Sequence, residues 1–303
     1  MVKSMFAAVA GLRTHQSKMD VIGNNIANVN TTGYKAASVT FIDTMYQNTS
    51  TGSGGTTTDG GTGGTNTNQV GYGVTTGSVS YDFSTGGMAT SSSGLDCMID
   101  SDNAFFIVGS MLTSGVSLSD DDAIESSGLS LSRVGSFKVD ANGYLVDSTG
   151  QYVYGYKNTN AADPTQAASI DTANLSTIQI PTDSTTSKLV EFSGYSVQQD
   201  GTVVGTGTDN KTYILGKIAL ANVQNPNGLE KTSGYYYSIG ANAGQVSAME
   251  ADSEIKSNYL ELSNVDLATQ MTDMITTQRG FQANSKIITV TDTMLEELVN
   301  MKR

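Results

Sequence analysis

The chain has one cysteine, one histidine, three prolines and no tryptophan among its 303 residues. A lone cysteine excludes a disulfide framework within the chain, and with one histidine it cannot complete a Cys/His zinc site. A histidine-dependent triad has a single candidate base, His15, and no nucleophile motif surrounds it. Long apolar runs are missing as well, so no stretch approaches the roughly 20 residues of a membrane-spanning helix. Charged residues make up only 15% and hydrophobic residues 38%, which excludes a highly charged disordered polymer. The net charge of −13 opposes nucleic-acid binding, because phosphate neutralisation needs a basic face. Residues 1–36 run against that balance, with Lys3, Arg13, Lys18 and Lys35 set against Asp20, so the acidic surface lies downstream. The apolar segment from Met5 to Ala10 is short and Arg13 follows it, so a cleavable secretory signal is not expected.

What is abundant is small and polar. Thirty-three glycines, with many Ser, Thr and Asn, describe turns and hairpins more than a helical globule. The length suggests two or three domains.

The two ends read differently from the middle. Val2, Met5, Val9, Leu12, Met19, Ile22, Ile26 and Val29 recur at spacings of three and four, and Gln16 fills the vacant turn. This predicts a helix from Lys3 to Val29, about 40 Å long. Met5, Leu12, Met19 and Ile26 lie seven apart, the seam spacing of helices that pair lengthwise. Asn28, Asn30 and Gly33 end it. Near the other end, Ser263 with Asp266 forms a capping-box-like start flanked by Leu262 and Leu267. Leu267, Met274, Phe281, Ile288 and Leu295 then follow at sevens, with Met271, Gln278, Ser285, Asp292 and Val299 as a companion seam that is polar in its middle. Ile287, Met294, Leu298 and Met301 form a second stripe on another face. Two readings stay open from these residues: the helices complete each other within one chain, or other copies complete them.

Between the ends, residues 49–68 hold only Gly, Ser, Thr, Asn and Asp and read as a flexible loop or linker. Phe105–Val108 is a buried-strand candidate. Ser136–Val139 and Tyr144–Val146 flank an Asp-Ala-Asn-Gly turn at 140–143 and predict a hairpin. Turn signals at Asp200-Gly201 and at Asn225 to Gly228 separate strand candidates Tyr195–Val197, Tyr213–Leu220 and Tyr235–Ile239. Residues 157–190 receive no assignment.

Each chemistry-bearing feature has a plain structural reading. Cys97 reads as a small buried hydrophobe. The run Asp120 to Asp122 lacks the spacing, glycine and terminal Glu of a calcium loop, and the Gly-rich 52–64 lacks the Lys-Ser/Thr and strand-to-helix frame of a phosphate cradle. Tyr235 to Tyr237 could form a sugar platform, as in a secreted β-rich adhesin or glycan-binding protein, or a cross-strand patch. No triad, carboxylate pair or cofactor loop names a reaction, so no catalytic, cofactor or metal residue is assigned and an enzyme is not expected.

Asn24-Asn25-Ile26-Ala27-Asn28-Val29-Asn30-Thr31-Thr32-Gly33-Tyr34-Lys35 resembles the N-terminal signature of the bacterial flagellar rod and hook axial proteins. Asn264-Val265-Asp266 and Gln278-Arg279-Gly280-Phe281-Gln282-Ala283-Asn284 resemble the C-terminal signature of the same family. Leu95–Val108, Gly135–Tyr156 and Ile218–Leu229 extend the likeness over most of the chain, and the interior and closing Leu295–Arg303 look more like hook than distal-rod members. Asp100 to Ala104 departs from the family's glycines. The resemblance implies an α+β, mainly β fold, with long terminal helices over 1–35 and 255–303 pairing as a coiled-coil-like core domain. An extended linker over 36–94, a β-rich outer domain over 95–156 and 191–250, and a loop or small β insert at 157–190 complete it. It further implies a helical homopolymer that bends while transmitting motor torque, in the extracellular flagellum, exported through the flagellar export apparatus. The expected partners are further copies and the rod, hook-cap and hook–filament junction proteins, with no cofactor, nucleic acid or membrane insertion. The rod subunit is the alternative within the family.

Overall fold

A computed structural model describes residues 2–55, 61–112, 115–117, 123–158, 170, 174–180, 192–208, 211–250 and 255–301. The chain divides into two compact units. One comprises Met1–Ala27, Ala37–Asp82 and Val265–Arg303; the other comprises Asn28–Ala36 and Phe83–Asn264. The regular structure of the described residues is mainly strand, with helices α1 (Val2–Ala27), α2 (Ala123–Ser126) and α3 (Leu267–Met301).

In the first unit α1 and α3 pack along each other. Asp266 caps α3: its carboxylate accepts the N–H groups of Ala268 and Thr269 at 3.1 and 3.3 Å, and the Thr269 hydroxyl at 2.5 Å. The expected cap was Ser263. Asp266 takes that role because its carboxylate satisfies two of the orphan donors at the helix start, so the helix begins at Leu267. Residues 37–81, expected as part of an extended linker, instead contain four strands: β1 (Ala37–Asp43), β2 (Tyr46–Ser50), β3 (Asn68–Gly71) and β4 (Val74–Tyr81). β1 pairs antiparallel with β4, and β2 with β3. Thr, Val, Phe, Ile and Tyr in these segments favour extended backbone, a signal outweighed in the sequence by the Gly/Ser/Thr tract between β2 and β3.

The second unit is built on a sheet of thirteen strands among the described residues. Its axis is the long strand Thr212–Val223, which pairs with Ala104–Gly109, Tyr152–Lys157, Thr202–Gly207 and Val246–Glu250. Every residue of Ala104–Gly109 is buried, as its continuous apolar run requires. The predicted hairpin forms between Phe137–Val139 and Leu145–Asp147, with Gly143 in the left-handed region at φ 80°. The other two turns also fall where expected, at Gly201 and at the 3₁₀ turn Pro226–Gly228. Phe106, Phe137, Ile218, Leu220 and Val153 lie at the centre of the core. Two short pairs, Cys97–Ile99 with Ile255–Ser257 and Met88–Thr90 with Tyr259–Glu261, fasten the end of this unit to its beginning. Of 157–190, the described part includes a strand at Asn174–Thr177 and buried Leu175, Ile178 and Ile180; the rest lies outside the described residues.

Candidate functional site

The register of the helix pair follows from three contacts. Gly11 faces Asn284, His15 faces Gly280, and Asn25 donates to Gln270 Oε1 at 3.1 Å. Moving forward along α1 moves back along α3 by the same number of residues, so the helices run antiparallel in one register. A Cβ on Gly11 would stand 2.5 Å from Asn284 Nδ2, and one on Gly280 would stand 2.8 Å from the His15 ring. These two glycines let the helix backbones approach closely.

The buried line on α1 passes through Ala8, Gly11, Thr14, Ile22 and Asn25, and that on α3 through Thr277 and Thr291, with half-buried Gln270 and Asn284 at the same sevenfold spacing. Thr14 and Thr291 satisfy themselves on their own helices. Thr14 Oγ1 donates to Gly11 O at 3.0 Å, and Thr291 Oγ1 donates to Ile287 O and Ile288 O. The expected seam residues Met5, Leu12, Met19 and Ile26 flank this line, half-buried, as do Met274, Phe281, Ile288 and Leu295. Leu267 and Met271 are exposed, and so are Gln278, Ser285, Asp292 and Val299 of the expected companion seam. That seam is displaced by one residue, about 100° around the helix, because small side chains, not large apolar ones, fill the gap between the backbones.

Apolar side chains are left over as a result. On α3, Ile287, Val290, Met294, Leu298 and Met301 are 44%, 45%, 46%, 46% and 81% exposed. Ile287, Val290, Met294 and Met301 fall to one side of the seam, and Leu298 continues its sevenfold line beyond Thr291. On the other side of the seam Leu267, Met271 and Ile275 form a shorter exposed row, and Phe6 and Val9 stand exposed on α1. Phe41, Ile42, Met45 and Tyr46 are exposed on and after β1.

The signature residues separate into structural and exposed groups. Asn25 is 1% exposed and imitates a strand neighbour: its Nδ2 donates to Ala37 O at 2.8 Å and its Oδ1 accepts Ala37 N–H at 3.0 Å. Gly33 has φ 66°, and a Cβ there would lie 2.8 Å from Val134. Asn28 accepts from the backbone and hydroxyl of Thr31, Thr32 is half-buried, and Asn264 Oδ1 accepts Ala36 N–H at 2.8 Å. Val265 is buried. Asn24, Ala27, Gln278 and Arg279 are exposed, Arg279 reaching Gln282 at 3.4 Å.

Lys35, the last residue of that signature, forms a fully buried ion pair with Glu261 at 2.7 Å, each side chain 1% exposed. Its ammonium also donates to Phe83 O and Ser84 O. Burial and then the nearby Arg133 lower the Lys35 pKa, while Glu261 opposes them. Arg133, equally buried, donates to Ser101 O, Phe83 O and Asp102 O. The segment 100–104 that departs from the family's glycines therefore supplies carbonyls to this cluster. Sequence reasoning missed it: Lys35 was visible in the signature, but nothing local marks Glu261 or Arg133 as its neighbours.

The remaining candidates take their plain readings. Cys97 is fully buried, and burial drives its thiol pKa far up, which suppresses thiolate chemistry. Tyr237 lies in the core, while Tyr235 and Tyr236 donate to the Asp147 carboxylate at 3.1 and 2.8 Å. Their hydroxyls thus tie a turn down. Asp120 to Asp122 lie outside the described residues. No helix among the described residues is long and apolar enough to cross a membrane, and no cluster of three metal-binding side chains occurs among them.

Comparison with known proteins agrees with this division. Residues 5–35 match the model for flagella basal body rod proteins, residues 124–205 the D1 domain model of flagellar hook proteins FlgE/F/G, and residues 256–301 the C-terminal model of flagellar basal body rod FlgEFG proteins. The chain is 35% identical to the flagellar basal-body rod protein FlgG of Bacillus subtilis, over the whole of both chains. It is 29% identical to the corresponding FlgG of Borreliella burgdorferi, again over both whole chains. The hook protein FlgE of Borreliella burgdorferi is 47% identical over 112 residues, which cover 36% of this chain and 25% of that protein. With two signature ends held in one helix pair and full-length similarity to a known member, the chain belongs to the family of flagellar rod and hook axial proteins.

Proposed function

We propose that the chain is the hook-type structural subunit of the flagellar axis, polymerising into a bendable tube that carries torque. The exposed apolar face of α3 carries this reading, because a helix already paired along one seam keeps a second face that only another molecule can cover. In this reading the paired terminal helices act as the coiled-coil-like core of the tube and the β-rich residues as its outer domain. The subunit reaches its place through the flagellar export apparatus and adjoins rod, cap and junction proteins. Higher identity to hook proteins over about a third of the chain supports the hook assignment. The rod reading has its own support, since the rod relatives match end to end. Electron microscopy of purified protein, concentrated in salt that screens its acidic charge, distinguishes the two. Curved tubes are expected; straight tubes would favour the rod, and a solution that never polymerises would refute both.

A further inference from the structure

His15 is the sole histidine of the chain, and it sits on the helix seam. Its ring lies against Gly280 of α3 so closely that a Cβ there would meet the imidazole at 2.8 Å. Phe41 of β1 meets it edge-to-face at 5.7 Å between ring centres. Its Nδ1 is buried and has no hydrogen-bond partner among the described residues. We propose that His15 is a proton-operated release for the terminal helix pair: uptake of one proton on this imidazole weakens the packing of α1 on α3.

The chemistry follows from the surroundings. Neutral imidazole can leave one nitrogen bare, whereas imidazolium carries hydrogen on both. Protonation therefore forces an N–H into a buried position where no described residue supplies an acceptor, at the cost of an unsatisfied donor. The charged groups around it do not compensate. On α1 the relevant neighbour is Lys18, a like charge; on α3 Arg279 adjoins Gly280; on β1 the nearest acid in sequence to Phe41 is Asp43, which accepts the Tyr46 hydroxyl. Burial first, and Lys18 second, hold the imidazole pKa below its ordinary 6.5. A histidine lowered on folding contributes its stability above pH 6.5 and loses it as the pH falls from there towards the folded-state value.

One proton taken up over one pH unit below 6.5 limits the effect to about tenfold in the helix equilibrium at pH 5.5. The test uses dilute, unassembled full-length chain, so it does not depend on tube formation. Helix content during urea unfolding is followed by circular dichroism at pH 7.5 and 5.5, and the single imidazole is titrated by NMR. The wild type should lose helix stability at pH 5.5 by several-fold, up to that limit. His15→Gln, which cannot titrate, should show little change. An imidazole midpoint at or above 6.5, or an equal response in wild type and His15→Gln, would overturn the proposal. Should His15→Gln fail to form helix, the wild-type imidazole midpoint decides by itself.

Discussion

Single residues account for much of how this chain is held together. Lys35 and Glu261 are far apart in sequence and fully buried together, the ammonium held by Glu261 Oε1 and backbone carbonyls and Oε1 by Lys35 and the Gly86 N–H. Removing one partner strands the other charge in the interior. Glu261→Ala should therefore cost the β-rich unit about 3–5 kcal/mol, read as a lower urea midpoint with an unchanged slope; a loss under about 1 kcal/mol would show that the Phe83 and Ser84 carbonyls suffice for Lys35. Gly33→Ala should also destabilise, by more than the roughly 1 kcal/mol of a conformational penalty alone, because the new methyl both strains a left-handed backbone and meets Val134. Asp266 acts differently, since it is exposed. The Thr269 hydroxyl and then the Ala268 N–H lower its pKa, so its capping is present above the ordinary carboxylate value near 3.8 and fades only as the pH falls through the lower folded value.

At the scale of elements the helix pair shows what was legible and what was not. The sevenfold periodicity located both helices, because apolar spacing encodes which faces avoid water. It misplaced the companion seam by one residue. Gly11, Thr14, Thr277 and Thr291 carry no hydrophobic signal, yet they are the residues that permit close approach. Side-chain-to-backbone ties such as Asn25 with Ala37 were illegible for a related reason, since a side chain imitating a backbone neighbour leaves no pattern in one sequence. The hairpin and turn predictions of the β-rich unit succeeded because Asn-Gly and Asp-Gly fix local geometry regardless of what packs above them. One consequence is testable: Gly11→Leu, placed against Asn284, should force the helices apart and lower helix stability, while the β-rich strands retain their signal. Undiminished helix stability would contradict the proposed register.

For the molecule as a whole, the described helices bury one seam between themselves and leave a second face bare. Of the two readings that the sequence held open, α1 and α3 complete each other along the seam, and α3 still keeps exposed apolar residues. The central claim is that this face is covered by other copies in the axial tube. Replacing exposed Val290 and Met294 with Asp tests it most directly, since both side chains are exposed and lie off the sevenfold seam line. Sedimentation in concentrated salt, with circular dichroism as the folding control, should find wild-type protein in the pellet and the double variant in the supernatant with its helix and strand signals intact. Tubes pelleting equally from both would contradict the account.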